Sequence, residues 1–507
     1  MNKNWARLML AAGLALLIVI GPASTAAPTV PPGGAPAAVD GPNIVLVLVD
    51  DADAKTLAYL PRTTSLVADR GATLDQYLYN QATCCPSRAT MLRGQYSQNT
   101  GVAGNNPPEG GYSAFYDRGK EASTLATWFD DAGYATAYLG KYLNGYAAEA
   151  GLPDTHVPVG WDRWFGLFHD DVGTGYFDYV VNKDGVLTTR GSTPKDYVTD
   201  VLADEARRFL KSDMAAGPFF LQVSMRAPHG PATPAERHQR LFSDVKYPKT
   251  PAFNEAHVSD KPGPIADRRK LSAKEKRKIN RDYRDRLRSM QAVDEMVADL
   301  VETLADQERL ENTYVVFASD NGFHMGEHRL PSGKNTPYEE DLRVPLFIRG
   351  PGIEPGQQID QLIGNVDLAP TLAEAAGVVA PDFVDGRSFL PIVRGEDVPW
   401  RNSYLLGRGG PRGDGFAGVR TKRYTYLEYE SGEREFYDLV ADPYQLHNTY
   451  DTMPADLRVA LHTRVKALRT CRAEACRAAE AEPLLIPAPM SVARTGAGPL
   501  NGRRGGL

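Results

Sequence analysis

Four apolar segments, each followed closely by polar residues, constrain the fold of this chain more than any other feature. They are Asn43–Val49 before Asp50-Asp51, 134–139 before Lys141, 219–225 before His229, and 314–318 before Asp320-Asn321. Continuous apolar runs are typical of parallel strands that are buried on both faces. Ligands of open α/β sheets bind at the carboxyl edge of the strands. We therefore expect these polar side chains to converge at one edge of a sheet.

Helical segments between the strands complete an α/β pattern. The segment 286–304 repeats apolar residues at helical spacing, which predicts a helix packed on the core. Beyond a Gly-rich cluster at 407–415, the segments 418–430 and 435–439 predict a β-hairpin, and 455–468 predicts a helix packed on it. The predicted fold is a large mixed, mostly parallel sheet flanked by helices, with a smaller C-terminal α+β domain.

The N-terminus reads as a secretory signal peptide, because Lys3 and Arg7 precede an apolar run that ends in small residues. An uncleaved membrane anchor is the alternative, but the run is shorter than the roughly 20 residues that span a bilayer. We predict a signal peptide at 1–27, a Pro/Ala-rich linker at 28–41, a large domain at 42–400, a small domain at 401–480 and a disordered tail at 481–507. The protein is then exported, as a secreted, periplasmic or cell-surface protein without stable membrane insertion.

The charge of the chain is uneven. The formal net charge is -6, yet the segment 268–288 holds eleven Lys or Arg residues and three acidic ones. Such a segment could bind a sulfated or otherwise polyanionic polymer, or it could be a solvated, partly helical connector, as charge runs usually are. Nothing else in the sequence indicates binding to nucleic acid.

The four cysteines form two close pairs. Cys84 and Cys85 precede Pro86, where we predict a helix to begin, and unpaired backbone N–H groups at a helix start attract anions. Cys84 could therefore be a nucleophile that faces an anionic substrate, whereas a disulfide partner or a buried structural thiol are the alternatives. Cys471 and Cys476 are predicted to form a structural disulfide that closes a small loop.

Two pairs of oxygen-bearing side chains follow matching strands. Asp50, Asp51, Asp320 and Asn321 offer carboxylate and amide oxygens, which favour calcium or magnesium and disfavour zinc. A divalent cation would neutralise developing negative charge and orient a tetrahedral oxyanion group. Positive or proton-carrying side chains accompany them, namely Arg88, Lys141, His229 and Lys334. These groups would bind ester oxygens and protonate a leaving alcohol, so the set predicts a site that cleaves an anionic ester.

These motifs resemble those of one known family. Cys84-Cys85-Pro86-Ser87-Arg88, followed by Leu92-Arg93-Gly94-Gln95-Tyr96, resembles the signature of type I sulfatases. Further sulfatase-like blocks follow in the family's order: Asn43 to Asp51, Gly140-Lys141-Tyr142-Leu143-Asn144, Ala227-Pro228-His229-Gly230-Pro231, Ser319-Asp320-Asn321-Gly322, Tyr338 to Pro345, and Phe436-Tyr437-Asp438-Leu439 with Asp442-Pro443. The resemblance extends from about residue 43 to residue 448.

The resemblance implies the fold of the alkaline phosphatase superfamily and the chemistry of a formylglycine-dependent sulfatase. Cys84 would be oxidised to Cα-formylglycine by a formylglycine-generating enzyme, and one hydroxyl of the aldehyde hydrate would attack sulfur while the second would let sulfate leave. Arg88 would hold that hydrate. By the same resemblance the calcium ligands would be Asp50, Asp51, Asp320, Asn321 and the residue-84 side chain, and the contacts to sulfate or the leaving oxygen would come from Lys141, His229 and Lys334.

Within the family, the motifs resemble most those of glucosamine 6-sulfatases and heparan endosulfatases. Many arylsulfatases have a histidine where this chain has Leu143, so the role of that histidine is either absent or moved to His324 or His328. Of these two we favour His324, as a substrate-binding residue. The predicted function is hydrolysis of sulfate esters of sugars or aryl alcohols, with a sulfated small molecule or saccharide as substrate. The alternatives are a phosphonate or phosphate monoester hydrolase and a polyanion-binding homologue without catalysis.

Overall fold

The computed structural model describes residues 41–168, 175–408 and 415–484. The predicted signal peptide, the linker up to residue 40 and the tail from residue 485 onward lie outside these ranges. Within the described ranges, no helix combines the length and the apolar character that crossing a membrane requires. The predicted domain boundary near residue 400 stays a prediction.

The described residues form sixteen strands and fourteen α-helices, together with short 3-10 turns and one π-helical turn. The strands are β1 (Asn43–Val49), β2 (Ala72–Leu74), β3 (Tyr77–Leu78), β4 (Ala135–Lys141), β5 (Arg163–Leu167), β6 (Val180–Lys183), β7 (Val186–Thr189), β8 (Phe219–Ser224), β9 (Thr313–Ser319), β10 (Leu346–Arg349), β11 (Gln357–Ile359), β12 (Ile363–Gly364), β13 (Tyr404–Arg408), β14 (Phe416–Arg420), β15 (Tyr424–Tyr429) and β16 (Arg434–Asp438). The helices are α1 (Ala54–Leu57), α2 (Pro61–Thr63), α3 (Cys84–Arg93), α4 (Ser97–Thr100), α5 (Gly111–Asp117), α6 (Leu125–Asp131), α7 (Val198–Leu210), α8 (Gly263–Ala266), α9 (Ala273–Asp306), α10 (Glu339–Leu342), α11 (Leu368–Ala375), α12 (Leu390–Val393), α13 (Ala455–Thr470) and α14 (Glu474–Ala481).

Ten of these strands form the main sheet, in the order β11-β2-β10-β9-β1-β8-β4-β5-β6-β7. Its centre, from β9 to β5, is parallel throughout, and β10, β6 and β7 add antiparallel pairings toward the edges. All seven residues of β1 are buried between β8 and β9. Burial on both faces explains why β1 reads as an uninterrupted apolar run. The predicted mixed, mostly parallel sheet flanked by helices is confirmed.

The four central strands lie where the apolar runs predicted them, with ends that differ by one or two residues. The largest difference for the site concerns Lys141, which is the last residue of β4 and does not follow the strand. Gly140 has a φ of 112°, and an added Cβ would lie 1.9 Å from Ser224 O in the neighbouring strand. The close approach of β4 and β8 therefore requires glycine immediately before the lysine.

The small C-terminal sheet is antiparallel, in the order β13-β14-β15-β16. The continuous strand predicted over 418–430 is wrong, because the chain turns between β14 and β15. The Thr421 hydroxyl accepts hydrogen bonds from the backbone N–H groups of Arg423 and Tyr424 and closes that turn. The predicted helix is α13, whose Leu461 and Val465 lie in one buried cluster with the sheet.

Two helices begin earlier than the sequence indicated. The helix predicted to start at Pro86 begins at Cys84. Proline is tolerated in the first turn of a helix, because the backbone N–H that it lacks would have no partner within the helix there. The helix predicted over 286–304 is α9, which begins at Ala273 and thus includes most of the basic segment. Its N-cap is Ser272, whose side chain forms a capping box with Glu275.

Candidate active site

Four side chains from three separate parts of the sequence converge at the carboxyl edge of the main sheet. One potential ligand atom from each of Asp50, Asp51, Cys84 and Asp320 lies within 4.8 Å of the others, and all four residues are buried. This convergence is the one that the strand pattern predicted. Three carboxylates and a sulfur atom at such distances form a cluster that could hold a metal ion.

The register of the central strands builds the acidic part of the cluster. Val49 pairs with Ser319, so Asp50 and Asp320 leave β1 and β9 side by side. Asp51 has a φ of 66°, and its backbone N–H donates to the Oδ1 atom of Asp320 at 3.0 Å. The left-handed backbone is costly for a residue with a Cβ, and aspartate tolerates it better than most.

Cys84 enters the cluster from the start of α3. Its sulfur lies 3.5 Å from Asp50 Oδ1 and 3.9 Å from Asp51 Oδ1. Burial raises the pKa of the Cys84 thiol to about 12, although Lys141 and Lys334 oppose that shift. Because the thiolate is the nucleophilic form of cysteine, the unmodified side chain is a poor nucleophile at neutral pH.

Arg88 lies one turn further along α3 and is also buried. Its Nε atom donates to Asp320 Oδ2 at 2.8 Å, and its Nη1 atom donates to the carbonyl oxygen of Lys141 at 2.7 Å. Its Nη2 atom is buried and has no hydrogen-bond partner among the described residues. A buried, unpaired guanidinium nitrogen beside the cluster can donate to an oxygen that the unmodified chain does not contain.

Two lysines neutralise the carboxylates. Lys141 Nζ donates to Asp50, and Lys334 Nζ donates to Asp51 while lying 2.5 Å from the Cys84 sulfur. Burial alone would raise the pKa of Asp50, but Lys141, His229, Arg88 and Lys334 together hold it well below its ordinary value. The site therefore keeps anionic oxygens and ammonium groups in contact within a buried volume, an arrangement suited to a charged, tetrahedral substrate group.

Asn321 and His229 complete the set. Asn321 Nδ2 donates to Asp51 Oδ1 at 2.8 Å, and Lys334 Nζ lies 3.4 Å from Asn321 Oδ1. His229 Nε2 lies 3.8 Å from Asp51 Oδ2, and 29% of the histidine side chain is exposed. His229 thus lies at the rim of the site, from which a ring nitrogen can reach an entering substrate.

The residues present fit a hard divalent cation. Asp50, Asp51 and Asp320 supply carboxylate oxygens and Asn321 supplies an amide oxygen, which are the ligands that calcium and magnesium prefer. One ring nitrogen of His229 also lies within 4.8 Å of ligand atoms of Asp50 and Cys84, so an imidazole and a sulfur atom stand beside the oxygen donors. The preference for calcium or magnesium over zinc therefore stays a prediction from the oxygen-rich part of the set.

His324 lies apart from this cluster. Its Nδ1 atom lies 2.9 Å from Asp341 Oδ1, and 4% of the residue is exposed. The Asp341 carboxylate is the partner of this buried histidine. The sequence motifs did not indicate Asp341 as a site residue. Arg286 was missed as well: its guanidinium bonds the Asp51 carbonyl oxygen and pairs with Asp53 at 3.0 Å. Arg286 stands at helical spacing with Met290 and Val293, and a charged residue within that apolar face was the signal for it in the sequence.

The two cysteine pairs differ in the structure. Cys84 and Cys85 are both free and buried, whereas a disulfide joins Cys471 to Cys476. The disulfide connects the end of α13 to α14.

Sequence comparison identifies the family. Residues 42–378 match the sulfatase family model, and residues 326–471 match the model of the C-terminal region of N-sulphoglucosamine sulphohydrolase. N-acetylglucosamine-6-sulfatase of Capra hircus is 34% identical over 478 residues, which cover 86% of this chain and 85% of that protein. The extracellular sulfatase SULF-1 homologue of Drosophila melanogaster is 35% identical over 381 residues, or 73% of this chain and 33% of that longer protein.

Solved structures show the same fold. A protein in complex with its substrate D-glucosamine-2-N,6-O-disulfate superposes with a TM-score of 0.69 at 23% identity, covering 84% of this chain and 97% of that one. The phosphonate monoester hydrolase of Silicibacter pomeroyi superposes with a TM-score of 0.64 at 20% identity, covering 84% and 94%. The predicted alkaline phosphatase-like fold and the resemblance to glucosamine 6-sulfatases are confirmed. The chain belongs to the sulfatase family and is a sulfuric ester hydrolase.

Proposed function

We propose that this sulfatase removes sulfate from a sulfated glucosamine-type saccharide, using a formylglycine made from Cys84 and a bound calcium ion. The observation that carries the proposal is the convergence of Asp50, Asp51 and Asp320 on the Cys84 sulfur, with two lysines in contact with the same groups. The 34% identity to a relative named N-acetylglucosamine-6-sulfatase supports the substrate class.

The acidic residues and Asn321 would hold the calcium ion, which would supply positive charge against the sulfate oxygens. As a hydrated aldehyde, residue 84 would carry one hydroxyl for attack on sulfur and a second whose deprotonation releases sulfate. The unpaired Nη2 atom of Arg88 supports this assignment, because the hydrate adds an oxygen acceptor next to α3. A formylglycine-generating enzyme would then be a partner during maturation.

The cationic side chains would position the ester. Lys141 and Lys334 would bind sulfate oxygens, because their ammonium groups already lie among the carboxylates at the centre of the site. His229 would protonate the leaving alcohol from the rim, a role that contributes typically about 10²–10⁴-fold in rate. His324, with Asp341 behind it, would contact the sugar.

Export accompanies this function. The proposed signal peptide at 1–27 supports it, and so does the Cys471–Cys476 disulfide, since such bonds persist in oxidising compartments. Relatives named extracellular sulfatases, from Drosophila melanogaster and Caenorhabditis elegans, share 35% and 34% identity with this chain.

Peptide mass spectrometry at residue 84 tests the chemistry. Natively produced, active protein should contain the aldehyde, and a Cys84→Ala variant should lose activity toward 4-nitrophenyl sulfate. Cys85→Ala is the matched control, because Cys85 is equally buried but lies outside the acidic cluster. An unmodified thiol at residue 84 in fully active protein would contradict the mechanism.

Two substrate comparisons test the specificity. Hydrolysis of 4-nitrophenyl sulfate should exceed that of 4-nitrophenyl phosphate, and the reverse preference would favour a phosphate or phosphonate ester hydrolase, which the same fold accommodates. Among defined glucosamine sulfates, sulfate release should be fastest from the 6-O-sulfate. Equal rates from all positions would refute the assignment.

A further inference from the structure

The first half of α9 presents a row of positive charge away from the protein. Lys274, Arg277 and Arg281 are exposed and follow one another at spacings of three and four residues. Side chains at these spacings lie on the same side of a helix. Lys270, just before the helix, is also exposed. We call these four residues the basic face.

The charges of the basic face are not neutralised by neighbours. None of its four residues forms an ion pair with any described residue. The three acidic residues of the segment are occupied elsewhere, since Glu275 pairs with Arg269, Asp282 with Lys278, and Asp285 with Arg288. The face is therefore a concentration of free positive charge on a chain whose net charge is -6.

The opposite side of the same helix is fixed to the protein. Ile279, Tyr283 and Leu287 are buried and pack in one cluster with Met325 and Tyr247. Tyr247 also bonds the side chain of Asn280 through its backbone N–H at 2.8 Å. The basic face is therefore held on a rigid helix, so ordering its backbone costs no further entropy on binding.

A second strip of positive charge runs beside it. Lys246 and Lys249, on either side of Tyr247, are exposed. Because Tyr247 is bonded to the middle of this half of α9, both lysines flank the helix near the basic face. The surface thus extends along more than one helical turn and is wider than a single row.

The same helix leads to the active site. Arg281 precedes Arg286 by five residues, or about 7.5 Å of helix rise. Arg286 bonds the carbonyl oxygens of Asp51 and Pro228, both in active-site loops. Arg281 therefore lies about one and a half helical turns from Arg286, on the outer side of the same helix.

We propose that the basic face binds a linear sulfated polysaccharide and thereby retains the polymeric substrate on the enzyme. This inference rests on the proposed function, because it assigns a polymeric form to the sulfated saccharide substrate. The charge and the length of the surface indicate that the ligand is a polymer. A single sulfate ester needs only one cluster of cations, whereas a row of cations along a helix matches a chain of regularly spaced anions.

Binding to a heparin oligosaccharide of about twenty sugars, measured at several salt concentrations, tests the proposal. The variant Lys274→Glu/Arg277→Glu/Arg281→Glu reverses three charges of the basic face. Its matched control is Lys195→Glu/Lys211→Glu/Lys466→Glu, in which the same charge change is made at exposed lysines elsewhere. We expect the basic-face variant to bind on the order of a hundredfold more weakly, with a shallower salt dependence, and the control to bind within about threefold of wild type. Both variants should unfold at the wild-type denaturant midpoint.

Three outcomes would overturn the proposal: no binding by the wild-type protein at low salt, equal losses in the two variants, or tighter binding to duplex DNA than to heparin. Hydrolysis of 4-nitrophenyl sulfate by the same wild-type preparation separates this proposal from the function. If the protein hydrolyses 4-nitrophenyl sulfate but does not bind heparin, the proposed role of the basic face is refuted and the proposed function is not. If correctly modified protein binds heparin but does not hydrolyse the sulfate ester, the proposed function is contradicted and the role of the basic face is not.

Discussion

Arg401 is the buried cation that connects the small sheet to the rest of the protein. Its side chain has no exposed area and bonds both carboxylate oxygens of Asp367. Its Nε atom pairs with Glu480 Oε2 in α14 at 3.0 Å. It also contacts the ring of Tyr404, the first residue of β13, at 5.3 Å from the ring centroid. We predict that Arg401→Met strongly destabilises the fold.

The expected loss of stability follows from the two buried carboxylates that would lose Arg401 as their partner. Asp367 and Glu480 are fully buried. In the variant, Arg387 would still lie 3.3 Å from the Glu480 carboxylate, but it forms no ion pair with Asp367. Asp367 would keep no ion-pair partner among the described residues. Removing one partner of a buried ion pair costs about 3–5 kcal/mol, because the remaining charge is uncompensated. This is a large part of the about 5–15 kcal/mol by which proteins are stable.

The loss should depend on pH. Burial raises the pKa of Glu480 above the ordinary value of 4.5, and Arg401 opposes that rise. A carboxyl with a raised folded-state pKa binds a proton more readily in the folded than in the unfolded state, so stability falls as pH rises above the ordinary value. Without Arg401 the pKa rises further. The loss in Arg401→Met should therefore be larger at about pH 8 than at about pH 5.

Urea unfolding at both pH values, followed by tryptophan fluorescence, measures these differences. Trp400 lies 5.3 Å from the Arg401 guanidinium and reports on this region. Arg472→Met is the control, since Arg472 is exposed and surface changes usually stay within about 0.5 kcal/mol. A loss below about 1 kcal/mol at pH 8, or a larger loss at pH 5 than at pH 8, would refute the reasoning.

Three further predictions concern the backbone, the disulfide and the metal. Gly140→Ala should prevent folding or cost several kcal/mol by urea unfolding, because the new Cβ would lie 1.9 Å from Ser224 O. The control Gly151→Ala, at a similarly positive φ of 68° but with no atom within 4 Å, should lose only about 1 kcal/mol. Replacing Cys471 and Cys476 by serine should lower stability by about 2 kcal/mol, as expected for a short loop with a sequence separation of 5, and a denaturation midpoint unchanged by reductant in wild type would contradict this. Chelation with EGTA should abolish sulfate release and lower the thermal midpoint; calcium should restore both, and activity that survives exhaustive chelation would argue against the metal.

The sequence predicted the centre of the fold well because burial leaves a strong pattern there. The strand β1 is buried on both faces, so its apolar run could be recognised without any knowledge of its partners. The strands β11 and β2, the last two on one side of the main sheet, have three residues each, too few for a pattern to emerge. Their positions depend on pairing with distant segments, and periodicity does not encode such pairing.

The residues of the site and their convergence at one edge of the sheet were predicted, whereas the distances and contacts between them were not. The motifs indicated Asp50, Asp51 and Asp320 as oxygen donors, but only the register of β1 and β9 brings them side by side. The break between β14 and β15 lies at four consecutive polar residues, 420–423, which interrupt the alternation of the predicted strand. A hydrogen bond to the Thr421 side chain closes the turn there. The capping box at Ser272 and Glu275 was readable, and it would have placed the start of α9 correctly.

The burial of α3 has a consequence for when the protein can be modified. Every residue of this helix is buried, including Cys84, so an enzyme cannot reach that thiol in the finished fold. The segment after the helix is held by residues much later in the sequence: Tyr96 bonds Glu480, and Asn99 donates to the Cys471 carbonyl across 372 residues of sequence. Contacts this distant form late, when nearly the whole chain has been synthesised. The modification that we propose for Cys84 must therefore precede the packing of the segment 471–480 against this loop.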